Sequence, residues 1–373
     1  MTCFNGVYAD RKVLVTGHTG FKGSWMSFWL SRLGARVAGY SLPAPTDPAH
    51  YQLLSFPHQN IVGDVRDPVS LEAAFNSFAP EMVVHMAAQP LVRASYDDPR
   101  STFDVNVMGT VHVLEACRRQ ASVRAVIVVT SDKCYENKET SRPYQEADPL
   151  GGHDPYSASK GCAEIVTAAY RRSFFAGKGS KLLLASVRAG NVIGGGDWAA
   201  DRLIPDLVRA AAAGKTVVIR HPQAVRPWQH VLDALGGYLL LGQKLLEGDP
   251  AYAQAWNFGP ESQSAMTVRD IVERARMVWP RILVELMTSA PGLHEAGLLL
   301  LDPSMARQRL SWVPVWDVEA AVRKTVAWYQ HYYDEGKIST GDDLSCYMQD
   351  AARRGAYGQP ALDPVMSNSQ LKR

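Results

Sequence analysis

The sequence predicts an α/β protein that has a doubly wound parallel sheet and a smaller α/β lobe. Short apolar runs alternate with longer amphipathic segments as far as residue 190, which is the pattern of βαβ units. A glycine-rich segment joins the first apolar run directly to the first amphipathic segment. Beyond residue 190 the strand and helix patterns become shorter and less regular, which indicates a second lobe.

The predicted elements follow one another in chain order. Apolar runs predict strands at residues 12–16, 36–40, 82–86, 125–130 and 182–187. Amphipathic segments predict helices at residues 21–33, 71–78, 102–119 and 155–175. The second part has predicted elements at residues 203–213, 217–219, 231–246, 255–258, 268–279 and 318–333.

Composition limits the classes of function. Lys plus Arg total 39 against 37 Asp plus Glu, a net charge of +2, so neither nucleic acid nor a membrane surface is expected as a partner. Five scattered cysteines without a CxxC pair indicate free thiols in a reducing compartment. No secretory h-region and no 18-residue apolar run occur, so a soluble cytoplasmic protein is expected. No His, Cys and Asp cluster has metal-ligand spacing, and no metal is expected.

The first strand runs directly into a loop that predicts a dinucleotide-binding, Rossmann-type site. In such a loop the first glycine permits a tight turn, the second lets the backbone approach a pyrophosphate, and the third lets helix and strand pack closely. The N-terminus of the next helix would offer free N–H groups to the phosphates. The predicted cofactor contacts in this loop are Gly17, Thr19, Gly20, Phe21, Lys22 and Gly23.

Further cofactor contacts are predicted at the ends of other strands. Neither a carboxylate nor an arginine follows the second strand, so the residues leave NAD and NADP as alternatives. Asp64 follows a short apolar segment and could contact the adenine. Small residues after the strand at 82–86 would let a flat cofactor cross the sheet edge. These additional predicted contacts are Asp64, Val65, Ala87, Ala88, Gln89 and Asn106.

The predicted organisation has three parts. Residues 1–190 would form the dinucleotide-binding Rossmann domain. Residues 191–336 would form the smaller, substrate-binding lobe, which can interleave with the first domain. Residues 337–373 are rich in Gly, Asp, Ser and Pro, which predicts a loosely packed tail without an assigned role.

Two short segments carry a set of proton-handling side chains. Ser131, Asp132 and Lys133 come directly after a predicted strand, and Tyr156 and Lys160 stand four residues apart on a predicted helix. Positions i and i+4 share one helix face, so the ammonium group can favour the phenolate of a tyrosine whose ordinary pKa is about 10. Taken alone, the Tyr–Lys pair could also be an ordinary surface pair.

Together these segments resemble the extended short-chain dehydrogenase/reductase family. The resemblance covers the TGxxGFxG motif at 16–23, Asp64 after its short apolar segment, the segment at 85–89 and the YxxxK motif of Tyr156 and Lys160. Within this family, longer stretches are similar to the 4,6-dehydratases that act on CDP-glucose. These stretches are residues 17–25, 130–137, 151–156, 188–198 and 226–231.

The resemblance implies an internal redox cycle on CDP-glucose with tightly bound NAD that is regenerated in each turnover. Tyr156 would take the proton of the sugar 4-hydroxyl, and Ser131 would orient the 4-oxygen. Lys160 would lower the tyrosine pKa and donate a hydrogen bond to the nicotinamide ribose. The resemblance also implies that Asp132 protonates the leaving 6-hydroxyl and that the enzyme is a homodimer. A further set of residues would bind the sugar and the diphosphate. This further set is Arg188, Asn191, Arg202, Arg226 and His230.

Lys133 departs from the pattern of most of these dehydratases, which have Glu at this position as the C5 base. A lysine acts as a base only when it is neutral, which desolvation and neighbouring positive charge favour. The alternatives are a charged Lys133 that stabilises the enolate, or a solvated lysine without a role in the reaction.

Two other functions remain as alternatives on the same fold. A nucleotide-sugar 4-epimerase would need Tyr156 and Lys160, but it needs no acid for a 6-hydroxyl, so Asp132 argues against it. A catalytically silent protein that senses NAD would not need the intact set of Ser131, Tyr156 and Lys160.

Overall fold

The computed structural model describes residues 3–177, 180–260, 266–287 and 298–358. Its strands are β1 (Lys12–Thr16), β2 (Arg36–Ser41), β3 (Gln59–Val62), β4 (Met82–His85), β5 (Ala125–Val129), β6 (Leu183–Ala189), β7 (Val192–Ile193), β8 (Thr216–Ile219), β9 (Val225–Arg226), β10 (Gln229–His230), β11 (Ala255–Phe258), β12 (Met266–Thr267) and β13 (Leu283–Leu286). Its α-helices are α1 (Phe21–Arg32), α2 (His50–Leu53), α3 (Pro68–Phe78), α4 (Val92–Asp97), α5 (Pro99–Phe103), α6 (Gly109–Arg119), α7 (Pro155–Tyr170), α8 (Leu203–Ala212), α9 (Val231–Leu246), α10 (Val268–Val278), α11 (Ser304–Leu310), α12 (Val318–Glu335) and α13 (Thr340–Arg353).

The main sheet of the described residues is parallel, with the strand order β11-β6-β5-β4-β1-β2-β3. The chain starts near the middle, runs to one edge and then returns to build the other half, so the sheet is doubly wound as predicted. Successive side chains of β1 point to opposite faces. Val13 and Val15 therefore join the core with α1 and α9, whereas Leu14 joins the core with α3 and α6.

Most predicted strands and helices are confirmed to within a few residues, and the differences have local causes. β3 was not predicted, because this edge strand is largely exposed and half polar. β11 was assigned to the second lobe, yet it pairs with β6 at the edge of the main sheet. The helices predicted at 102–119 and 155–175 each contain one π-helical turn, Asp104–Met108 and Arg171–Phe175 respectively.

The lobe beyond β6 has a separate apolar core. Helices α8, α10 and α12 pack there around buried tryptophans, including Trp198, Trp279 and Trp328. The indole of Trp198 donates to the hydroxyl of Tyr333 at 2.9 Å, so this ring serves in core packing. Within the part of the chain that the structure describes, no helix is long and apolar enough to span a membrane.

The chain after residue 336 is more ordered than its composition predicted. Residues of α13 at helical spacing turn inward, and Tyr347 is fully buried. The Tyr347 hydroxyl donates to Asp233 Oδ1 on α9 at 3.0 Å, and burial raises the pKa of Asp233 to about 7. The expected loose tail is therefore wrong for α13, because an amphipathic helix can be rich in polar residues. Residues 359–373 of the predicted tail lie outside the described residues.

Candidate active site

A cleft of about 410 Å³ opens where loops follow the carboxyl ends of β1, β5 and β6. Ligands bind at this edge in doubly wound sheets. The predicted site residues on its wall are Phe21, Lys22, Ser131, Asp132, Lys133, Tyr156, Asn191, Arg202 and Arg226. Segments that are far apart in the sequence are thus brought to one cavity.

The glycine loop has the close packing that its spacing predicted. Gly17 has φ +75°, and a Cβ there would lie 2.7 Å from the Cα of Ala87 on the neighbouring strand end. A Cβ on Gly23 would lie 2.0 Å from the carbonyl oxygen of Gly17, so only glycine lets α1 approach the loop this closely. Gly20 precedes α1, and no described side chain caps the helix there. The first N–H groups of α1 are thus available to a phosphate.

The predicted adenine and nicotinamide contacts take part in local hydrogen bonds. Asp64 accepts two bonds from the Arg66 guanidinium, at 2.6 and 2.9 Å to Oδ2, and the hydrogen bond with Arg66 lowers the pKa of Asp64. Asn106 Oδ1 accepts from the Gln89 backbone N–H at 2.9 Å, and its Nδ2 donates to Ser159 Oγ on α7, also at 2.9 Å. Asn106 therefore ties the loop after β4 to the YxxxK helix.

Tyr156 and Ser131 meet at the base of the cleft. Ser131 Oγ donates to Asp132 Oδ1 at 2.9 Å and accepts from the Lys133 backbone N–H at 3.2 Å. Tyr156 is 8% exposed. Burial raises the pKa of Tyr156 to about 12, although its hydrogen bond with Ser131 and the charge of Arg202 oppose the rise. The phenol is placed to exchange a proton with a group in the cleft, but it needs more positive charge to ionise near neutral pH.

Lys160 lies one helical turn beyond Tyr156, behind the cleft wall. Its Nζ donates to the Val129 carbonyl oxygen at 3.5 Å. Burial and then the charge of Lys22 lower the pKa of Lys160 to about 7, whereas Glu164 acts to raise it. Burial also lowers the pKa of Lys22, to about 8. These two amines come from different helices, α7 and α1, and they lie close enough for the charge of Lys22 to affect Lys160.

Asp132 has the environment of a proton donor. It is 4% exposed, and burial raises its pKa, while the positive charge of Lys133 acts in the opposite direction. Its Oδ2 is buried without a hydrogen-bond partner among the described residues. A Cβ on Gly190 would lie 3.0 Å from this oxygen, so the glycine leaves space beside it. This buried setting favours the protonated form of Asp132.

The predicted substrate residues divide into two groups. Asn191, Arg202 and Arg226 lie on the cleft wall, and Arg202 donates to Asp197 Oδ2 at 2.7 Å. Arg188 and His230 are not among the described residues that line the cleft, and their role as substrate contacts stays a prediction. His230 is 1% exposed, and its Nδ1 accepts from the Leu232 backbone N–H at the start of α9.

Some residues of the cleft wall were not predicted. Asp197 lies in the stretch 188–198 and was not predicted as a site residue, yet its carboxylate holds Arg202 in place. Arg220 and His221 follow β8 and add further polar groups at the outer end of the cleft. Local sequence patterns could not place them, because β8 reaches the cleft only through the packing of the second lobe.

Comparisons with known proteins show which family this chain belongs to. The model of the NAD dependent epimerase/dehydratase family matches residues 13–259. The chain is 45% identical over 353 residues to a CDP-glucose 4,6-dehydratase of Salmonella typhimurium, covering 93% of this chain and 98% of the relative. It is 28% identical over 343 residues to UDP-glucuronate 4-epimerase 1 of Arabidopsis thaliana, covering 86% of this chain and 77% of the relative.

Solved structures have the same fold. The UDP-glucose 4-epimerase of Thermus thermophilus in complex with NAD superposes with a TM-score of 0.75 at 25% identity, covering 86% of this chain and 99% of that one. The dTDP-glucose 4,6-dehydratase of Bacillus anthracis in complex with NAD gives a TM-score of 0.72 at 21% identity, covering 86% and 96%. With the family model matched over most of the chain and the 45% identical relative, the chain belongs to the NAD dependent epimerase/dehydratase family.

Proposed function

We propose that the protein catalyses the CDP-glucose 4,6-dehydratase reaction, in which CDP-D-glucose becomes CDP-4-keto-6-deoxy-D-glucose and water. The main support is the 45% identical relative of that name, which matches 93% of this chain. The cleft supplies the groups that this reaction needs, because Ser131, Asp132, Lys133 and Tyr156 share one wall.

The residues of the glycine loop fit NAD. Gly17 and Gly23 allow close packing because they have no side chains. No described side chain caps α1, so the loop backbone and the first N–H groups of the helix can bind a pyrophosphate. When bound, NAD would supply the hydride acceptor and a positive charge near Tyr156. The loop from Gly17 to Gly23, Asp64 and the segment after β4 would hold it.

Tyr156 and its neighbours serve the oxidation at C4. The phenolate takes the proton of the 4-hydroxyl as the C4 hydrogen leaves with its electron pair. Ser131 donates a hydrogen bond to the 4-oxygen, and Lys160 with Arg202 stabilises the phenolate through positive charge. The 4-ketone formed in this way makes the neighbouring C5 hydrogen acidic.

Asp132 and Lys133 serve the elimination. Lys133 takes the C5 proton in its neutral form, and Asp132 gives a proton to the C6 oxygen, which leaves as water. The electron pair of the broken C5–H bond forms the C5–C6 double bond. The hydrogen taken from C4 then returns to C6, C5 takes up a proton, and the 4-keto-6-deoxy sugar results.

Arg202, Arg226 and Asn191 would bind the diphosphate and the sugar. Guanidinium groups suit a diphosphate because they can donate two parallel hydrogen bonds to its oxygens. Arg202 is already oriented by Asp197, so little freedom is lost when the substrate binds.

The substrate assignment is tested by incubating the protein with NAD and, in turn, CDP-, UDP-, GDP- and dTDP-glucose. We expect CDP-glucose to give the highest kcat/KM, measured by the absorbance of the 4-ketosugar in alkali. A 4-ketosugar from another nucleotide at a higher kcat/KM would contradict the choice of CDP. An epimerised hexose, or cofactor binding without turnover, would contradict the dehydratase reaction itself.

We also propose that two copies of the chain associate through the end of α5, through α6 and α7, and through the π-helical turns beside them. Large apolar side chains are exposed on these neighbouring helices: Phe103 (37%), Met108 (43%), Ile165 (58%) and Phe174 (49%). Such a set marks an interaction surface, and a second copy would bury it by packing the same helices together in a four-helix bundle.

The Ile165→Glu variant is expected to shift the protein from dimer to monomer in light-scattering measurements, because a charge would be placed in the apolar contact. Met277→Glu is the matched control, since Met277 is 73% exposed on α10, outside the proposed interface. A monomeric wild-type protein at micromolar concentration, or a variant that still dimerises, would contradict the interface.

A further inference from the structure

A buried ion pair lies directly behind the active-site cleft. Arg188 on β6 donates through Nη2 to Glu164 Oε2 on α7 at 2.8 Å, and these side chains are only 3% and 2% exposed. Among the described residues that line the cleft, neither is present. Desolvation makes buried ion pairs expensive, and apolar residues often replace them without loss of stability. Stability alone therefore does not account for this pair.

The pair is bonded to both ends of the catalytic segment 131–134. Glu164 Oε1 accepts from Thr130 Oγ1 at 2.5 Å, and Thr130 directly precedes the segment. Arg188 Nη1 donates to Tyr135 Oη at 2.7 Å, and Tyr135 directly follows the segment. The guanidinium also lies over the Tyr135 ring, 4.9 Å from its centroid. One ion pair thus holds the segment that carries Ser131, Asp132 and Lys133.

The pair is also fixed to the surrounding framework. Glu164 lies one turn beyond Lys160 on α7, so the helix that carries Tyr156 is joined to the pair. On the sheet side, Ser186 Oγ donates to Glu164 Oε2 at 2.8 Å. Although burial raises the pKa of Glu164, Arg188 and the hydrogen bonds together hold it below its usual value. Glu164 is therefore an ionised acceptor whose two oxygens are both engaged.

We infer that Glu164 and Arg188 are positioning residues that fix the elimination groups against the YxxxK helix. This role rests on the proposed function, because it requires an oxidation at C4 and an elimination across C5 and C6. Tyr156 is carried by α7 itself, whereas Asp132 and Lys133 are placed through the segment whose two ends the pair holds. A shift of about 1 Å in such a group can cost about 10²-fold in rate. A loosened segment therefore slows the elimination more than the oxidation.

Two variants loosen the segment without leaving a charge buried and unpaired. Thr130→Val removes the hydroxyl bonded to Glu164, and Tyr135→Phe removes the hydroxyl bonded to Arg188. Thr167→Val is the matched control, because Thr167 is also buried on α7 and, among the described residues, its hydroxyl bonds only to Ala163 O at 2.7 Å. Direct substitution of Glu164 or Arg188 is less informative, since it leaves a buried charge alone and can prevent folding.

We expect Thr130→Val and Tyr135→Phe to lower the kcat for the 4-ketosugar by about 10- to 100-fold, with the KM for CDP-glucose nearly unchanged. In a single turnover, the absorbance of the reduced nicotinamide should rise and persist in both variants, but not in Thr167→Val or the wild type. Melting temperatures of all variants separate positioning from general destabilisation.

Two results would overturn this role. One is a loss of kcat without persistent reduced nicotinamide, because oxidation and elimination would then be slowed together. The other is a kcat equal to that of the wild type in both variants. A wild-type protein that forms no 4-ketosugar would instead refute the proposed function, so the two failures are distinguishable.

Discussion

The Tyr156→Phe variant is expected to form the 4-ketosugar about 10²- to 10⁴-fold more slowly than the wild type. Phenylalanine keeps the buried ring but removes the hydroxyl, which is the only group at this position able to take the proton of the sugar 4-hydroxyl. The proton is transferred in the transition state, so kcat should fall while the KM for CDP-glucose stays within about threefold.

Tyr170→Phe provides a control on the same helix. The Tyr170 hydroxyl bonds to Glu115 at 2.9 Å, away from the cleft, so this variant should keep nearly full activity. Reduced nicotinamide should not appear in single turnovers of Tyr156→Phe, because the first oxidation is blocked. A Tyr156→Phe variant with more than about a tenth of the wild-type kcat would contradict the assignment of Tyr156 as the base.

The Asp132→Asn variant is expected to lose 4-ketosugar formation by a similar factor, about 10²- to 10⁴-fold, but at a later step. Asparagine preserves the shape and can still accept from Ser131, but its amide cannot protonate the leaving 6-hydroxyl. Oxidation at C4 should therefore proceed, and the absorbance of reduced nicotinamide should persist. Its absence in single turnovers would show that Asp132 is needed already for oxidation.

Lys133→Met tests whether Lys133 takes part in the removal of the C5 proton when it is compared with Asp132→Asn. In deuterium oxide, Asp132→Asn should still exchange the C5 hydrogen of CDP-glucose recovered from the reaction, because the C5 base is intact. Lys133→Met should not exchange it. If Lys133→Met exchanges this hydrogen at the normal rate, Lys133 neither takes the C5 proton nor stabilises the enolate, and a solvated lysine without a role in the reaction becomes the better description.

The features that the sequence predicted correctly depend on short segments. The strand–loop–helix order around Gly17, Gly20 and Gly23 predicted the close packing of α1 on the loop, because a Cβ on Gly23 would meet the backbone of Gly17 in the same short segment. Ser131, Asp132 and Lys133 were expected directly after a strand, and they follow β5. In both cases the local pattern contained the physical cause.

The features that the sequence did not predict depend on distant partners. The resemblance implied that Arg188 contacts the substrate, and nothing in the sequence indicated that Glu164 on another element pairs with it. His230 became a helix cap when α9 returned to the main sheet. The chemistry of a side chain limits the contacts that it can make. Which of these contacts forms depends on the packing of segments that are distant in the sequence.

The path of the C4 hydrogen tests the proposed reaction most directly. CDP-glucose carrying deuterium at C4 is converted to product with NAD, and the product is analysed by nuclear magnetic resonance. The internal redox cycle predicts that the deuterium moves to C6 of the 4-keto-6-deoxy sugar within the same active site. Deuterium that stays at C4 of an epimerised hexose, or that is absent from C6 of the ketosugar, would contradict it.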